Sequence, residues 1–98
     1  MRPIHVAQLD KARPVLILTR ELVRPHPTRV TVAPITGTVR GLSTEVPVGV
    51  RNGLEKDSAV SVDDIVTIPV TALGVRSFFL PDQEELLTTA IQHAFDLD

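Results

Sequence analysis

The chain contains no cysteine, no tryptophan and no tyrosine, and one methionine. The missing cysteine excludes disulfides and thiolate catalysis, and leaves only histidine and carboxylates as metal ligands. The three histidines, His5, His26 and His93, are scattered and show no ligand spacing. No apolar run approaches the roughly 18 residues that a membrane-crossing helix needs, and no signal-peptide pattern is present, so a cytoplasmic, membrane-free protein is expected. There is no internal repeat and no low-complexity tract.

What is present is the composition of an ordinary globular chain: 98 residues, 43% hydrophobic and 22% charged. That length suits one domain, 1–98. The net charge of −2 hides an asymmetry. Residues 1–51 carry eight basic side chains against three acids, a net of +5, and residues 52–98 carry two against nine, a net of −7. Seven of the eight cations in the first half are arginines, the side chain suited to bidentate phosphate contacts. An anionic partner docking on that half is expected.

The run Val15-Leu16-Ile17-Leu18 has no period-2 alternation, so it reads as a strand covered on both faces at the centre of a small sheet. Pro14 fits at the first position of such a strand, because it cannot donate to a ladder. It also holds Arg13 extended at the strand mouth. Ile4–Leu9 reads as a strand joined to this one by the short Asp10-Lys11-Ala12 connection, hence a hairpin. Pro25 and Pro27 make residues 20–29 a loop, with room for one helical turn at 20–23 and with His26 exposed. Val30–Ile35 is the third strand, its end placed at an edge or bend by Pro34. A glycine-punctuated loop, 36–41, follows.

Residues 44–50 alternate, with Val46, Val48 and Val50 inward, and Asn52-Gly53 ends that strand. Ser58–Val62 and Ile65–Ile68 are short strands separated by Asp63-Asp64. Asp82–Phe95 reads as a helix. Pro81 precedes it, acids occupy its first turn, and Leu86, Leu87, Ala90, Ile91, Ala94 and Phe95 form its apolar stripe. Short strands followed by one terminal helix predict a mainly β, strongly curved barrel with the helix packed at one end.

If the core strand and the third strand are antiparallel neighbours, pairing Thr19 with Val30 sets Arg13 opposite Thr36. One end of the sheet then gathers Asp10, Lys11, Arg13, Thr36, Thr38 and Arg40. A cation and a hydroxyl at one place suit phosphoryl transfer. The guanidinium stabilises extra charge on a pentacoordinate phosphorus, and the hydroxyl donates to a phosphoryl oxygen. With RNA the ribose 2′-OH can be the internal nucleophile, so no metal or other cofactor is required. A guanidinium stays protonated in proteins, which makes charge stabilisation its natural role rather than general base.

The segments LDKARPVLILT (9–19), VTVAPITGTVRGLSTEVPV (30–48) and NGLEKDSAVSVDDIVTI (52–68) resemble, in order, the MazF/PemK family of toxin endoribonucleases. The resemblance implies an SH3-like barrel of the CcdB/PemK/MazF type and a homodimer. It implies metal-independent cleavage of single-stranded RNA to a 2′,3′-cyclic phosphate and a 5′-OH. Its partner would be a cognate antitoxin whose acidic, flexible tail occupies the RNA site. Arg13 matches the family's catalytic arginine and Thr36 its catalytic hydroxyl residue, while Thr38 and Asp63 fall where members contact RNA. Members usually carry a longer, glycine-rich segment with an acid before the Arg-Pro pair. Here that segment is reduced to Asp10-Lys11-Ala12, with Asp10 the one nearby acid. The alternative readings are a non-enzymatic, CcdB-like barrel that binds gyrase, and a degenerate toxin that binds antitoxin without cleaving. Retention of the Arg/Thr pair argues against the CcdB-like barrel.

Overall fold

The computed structural model describes residues 2–19, 28–80 and 83–95. Strand β1 (Arg2–Gln8) turns tightly into β2 (Ala12–Ile17), and the two pair antiparallel, with Ile4 opposite Leu16 and Ala7 opposite Arg13. This is the expected hairpin. Val15, Leu16 and Ile17 are all fully buried, as the unbroken apolar run requires. Their side chains divide between two cores. Leu16 packs with Ile4, Ala33, Ile35, Val46 and Val60 on one face. Val15 and Ile17 pack with Ala7, Val30, Val32 and Ile68 on the other.

Strand β3 (Arg29–Thr36) lies beside β2 with Val15 opposite Pro34 and Ile17 opposite Val32. Leu18 continues the pairing by donating its N–H to the Thr31 carbonyl at 2.9 Å. On its opposite edge β3 changes partner. Val30–Val32 pair with β6 (Val66–Pro69), whereas Ile35 and Thr36 pair with β5 (Ser58–Ser61). Pro34 sits between these two stretches, at the bend where a residue without an N–H does least harm to the ladder. Strand β4 (Glu45–Val48) pairs with β5, and β7 (Leu73–Leu80) pairs with β1. The sheet order is β4-β5-β3-β2-β1-β7, with β6 on β3. Among the described residues β4 and β7 are not hydrogen-bonded to each other, so the curved sheet is not closed into a cylinder.

Helix α1 (Glu84–Phe95) packs against the Leu16 core through Leu87 and Ala90, flanked by half-buried Ile91 and Ala94. Leu86 and Phe95, expected in the apolar stripe, are 52% and 56% exposed. The helix meets a narrow stretch of sheet, which covers only the centre of its stripe. Its first buried contact is polar. Gln83 donates to the Pro47 carbonyl at 2.8 Å and accepts from the Asn52 amide at 3.3 Å. The fully buried Asn52 in turn accepts the Gly49 N–H at 3.1 Å. The Asn52 side chain thus ties the end of β4 to the entry of α1. Asn52→Ala strands the Gly49 donor and the Gln83 oxygen, and we expect it to cost about 2–3 kcal/mol in a urea unfolding experiment.

Three readings are corrected. Pro14, expected at the first position of the core strand, is the third residue of β2: the pairing with β1 reaches back to Ala12, and only the pairing with β3 begins after the proline, at Val15. Alternation in the fourth strand stops at Val48. Val50 opens a 3₁₀ turn, Val50–Asn52, and is 72% exposed rather than inward. Strand β7 was not anticipated, because Gly74 and the Arg76-Ser77 pair break any apolar pattern. Gly74 marks a close approach instead. A Cβ there would stand 3.2 Å from the Val6 carbonyl oxygen. The β1–β7 register shifts on both sides of His5, so the glycine accompanies a bulged ladder. The expected loop turn at 20–23, with His26, lies outside the described residues.

Candidate functional site

Arg13 is carried on the first turn-proximal residues of β2. Asp10, in the turn before it, takes the arginine's Nη2 with both oxygens, at 3.1 and 3.2 Å, and accepts the Lys11 N–H at 3.0 Å. The side chain of Arg13 is 26% exposed, whereas that of Asp10 is 74% exposed. The pair is therefore wet on one side and adds little stability. Its effect is directional. The stem packs, one edge of the fork is held, and Nε is buried with no hydrogen-bond acceptor among the described residues.

Thr36 ends β3. The observed β2–β3 pairs end at Val15 and Pro34, and the same register continued two residues would set Thr36 opposite Arg13. Directly opposed Cα atoms in such a ladder are about 4.5–5.5 Å apart. Alternation turns both side chains to the face that carries Val15 and Ile17. The Thr36 hydroxyl accepts the Thr38 N–H at 3.1 Å. That bond occupies an acceptor position of the oxygen and leaves its proton free to donate.

The remaining candidates are distributed around this pair. Lys11 is exposed at the hairpin tip, and Thr38 and Arg40 are exposed on the β3–β4 loop. Glu45 organises that loop. Its carboxylate accepts the Arg40 N–H with both oxygens, at 3.1 and 3.3 Å, and the Leu42 N–H at 3.1 Å. Glu45 is not among the residues that the sequence pattern singles out. Asp63 lies in a 3₁₀ turn, Val62–Asp64, and accepts the Thr44 hydroxyl. Its hydrogen bond ties it to the far end of the loop rather than to Arg13 or Thr36. Among the described residues no group of three or more histidines and carboxylates is placed to hold a metal ion. No helix among them is long and apolar enough to cross a membrane.

Residues 3–92 match the model of the PemK-like, MazF-like toxins of type II toxin-antitoxin systems. The chain belongs to that family. It is 67% identical over 99 residues to Mycobacterium tuberculosis endoribonuclease MazF3, spanning 100% of this chain and 96% of that protein. The structure of the Mycobacterium tuberculosis toxin MazF-mt6 superposes with a TM-score of 0.96 at 66% identity, covering 99% of each chain. A mycobacterial endoribonuclease solved with its cognate antitoxin superposes at 0.84 with 26% identity, over 98% of this chain and 93% of that one. As in MazF-mt6, the PemK/MazF fold here is a mostly antiparallel sheet with one C-terminal helix.

Proposed function

We propose that this chain is the toxin of a type II toxin-antitoxin pair. It cuts single-stranded RNA at Arg13 and Thr36 without a metal and so arrests translation and growth. The 2′-OH attacks the adjacent phosphorus, the P–O5′ bond breaks, and the products are a 2′,3′-cyclic phosphate and a 5′-OH. The 2′ proton leaves to solvent and the 5′ oxygen gains one, so no water is consumed. Arg13 meets the charge that builds on the non-bridging oxygens, and the free Thr36 proton donates to one of them. What supports this reading is the β2–β3 register, which brings a guanidinium held by Asp10 and a hydroxyl to the same end of the sheet. The buried, unpartnered Nε of Arg13 supports it, because arginines that serve only the fold have their buried donors satisfied. Asp10, Lys11, Thr38, Arg40 and Asp63 are the surrounding RNA contacts. The working form is a cytoplasmic homodimer, and a cognate antitoxin with an acidic, flexible tail covers the same site.

The test is cleavage of a long single-stranded RNA in EDTA, with both ends of every product mapped. Cyclic phosphate and 5′-OH ends at a short recurring sequence are expected. Products with 5′-phosphates, or activity lost in EDTA, would contradict the reading.

A further inference from the structure

The second half of the chain is acidic, yet one of its two cations is delivered to the basic end of the sheet. Lys56 lies in the turn before β5, between Glu55 and Asp57. Its side chain runs back over the backbone of Gly37, the residue after Thr36. A Cβ built on Gly37 would stand 2.6 Å from Lys56 Cε and 2.9 Å from Nζ. The left-handed conformation that favours glycine is found at Gly41 and Gly53, not here. Gly37 is therefore a matter of space, and the space is filled by the lysine. Lys56 is exposed, and its ammonium has no hydrogen bond or carboxylate partner among the described residues. Of the acids beside it in sequence, Asp57 faces Gly49, while Glu55 lines the same open groove as Lys56 without pairing with it.

That groove, of about 370 Å³, has an apolar wall of Val6, Pro14, Ile35 and Leu54, and its rim carries Gly37, Lys56, Glu55 and Ser58. By alternation these β2 and β3 residues face away from Arg13 and Thr36. The two faces meet at the sheet end, where Gly37 follows Thr36 by one Cα step of about 3.8 Å. Resting on the proposed cleavage at Arg13 and Thr36, we propose that Lys56 is a substrate-binding cation for the RNA phosphate next to the scissile one. The strand crosses the rim of the sheet, and the flanking nucleotide lies along the apolar wall of the groove. Gly37 positions Lys56 by leaving its place open.

The test uses Lys56→Gln, Lys56→Arg, Gly37→Ala and the Lys56→Gln/Gly37→Ala pair. Binding is measured to a mixed-sequence single-stranded RNA made uncleavable by 2′-O-methyl riboses, across a salt series. Lys56→Gln should weaken binding about tenfold. It should also flatten the log Kd against log salt slope by about 0.7, the value for one phosphate contact on a single strand. Lys56→Arg should restore both. Gly37→Ala, which displaces only the flexible end of a side chain, should leave the melting temperature unchanged and weaken binding as Lys56→Gln does. The double variant should be no worse than either single one. On cleavable RNA the loss should fall on KM rather than kcat.

An unchanged slope in Lys56→Gln, or additive losses in the double variant, would overturn the assignment while leaving Arg13 and Thr36 in place. Wild-type protein that binds the strand but does not cut cleavable RNA would remove the nuclease reading, and the slopes would still judge Lys56. Weakened capture of an acidic antitoxin peptide, with RNA binding unchanged, would assign the lysine to the antitoxin instead.

Discussion

Arg13→Ala is expected to lower kcat on single-stranded RNA by roughly 10²–10³, the usual cost of removing one preorganised donor from a charge-developing transition state. KM should move far less, because the side chain's work is done on charge that appears only as the phosphorus becomes pentacoordinate. The fold should survive. Arg13 stands at the mouth of β2, its one ion pair is solvent-exposed on the Asp10 side, and the cores on either face are built by Val15, Leu16 and Ile17. Arg13→Lys separates charge from shape. A lysine keeps the cation but cannot hold Asp10 and grip a phosphate with one planar fork, so it should recover only part of the rate. Single-turnover cleavage with a circular dichroism control reads both variants. Wild-type kcat in Arg13→Ala would remove the guanidinium from the mechanism.

Thr36→Val should cost roughly 10² in kcat, again without loss of fold. Valine keeps the branched shape at the end of β3 and deletes only the hydroxyl. The bond from the Thr38 N–H is lost as well, but that donor is exposed and water replaces the acceptor. Thr36→Ser keeps the hydroxyl and should retain most of the activity. The two losses should not be independent. If both groups serve one phosphate, Arg13→Ala/Thr36→Val should fall little below the worse single variant. Multiplying losses would mean two separate sites of action.

Much of this arrangement was legible in the residues. An apolar run without alternation can be covered only from both sides, and Val15–Ile17 are. Pro34 announced a bend, whereas Pro14, read as a strand start, stands two residues inside β2. The β2–β3 register is read by pairing Thr19 with Val30 across the 20–29 loop, and the observed pairs of Val15 with Pro34 and Ile17 with Val32 keep it; a slip by one residue would have exchanged Leu16 with its neighbours between the two cores. What was hidden was hidden for physical reasons. In β7, Gly74 is read as loop punctuation when only the pattern is seen; its purpose is an approach to the Val6 carbonyl that exists only once β1 is beside it. Leu86 and Phe95 fit the period of the helix, but the width of the sheet beneath α1 decides which part of the stripe is covered. Glu45 and Asn52 act through backbone groups brought close by turns, which leave no periodic trace. Lys56 sits between two acids, and its reach to Gly37 crosses a distance in sequence that charge counting cannot see.

The claim on which the mechanism stands is that Arg13 and Thr36 share a phosphate. The structure of the protein bound to a single-stranded RNA carrying 2′-deoxyribose at the cleaved nucleotide tests it most directly. The expected result is the Arg13 guanidinium and the Thr36 hydroxyl both within hydrogen-bond distance of the non-bridging oxygens of the phosphate that follows the modified sugar. An RNA bound with that phosphate reached by one of them alone, or by neither, would contradict it.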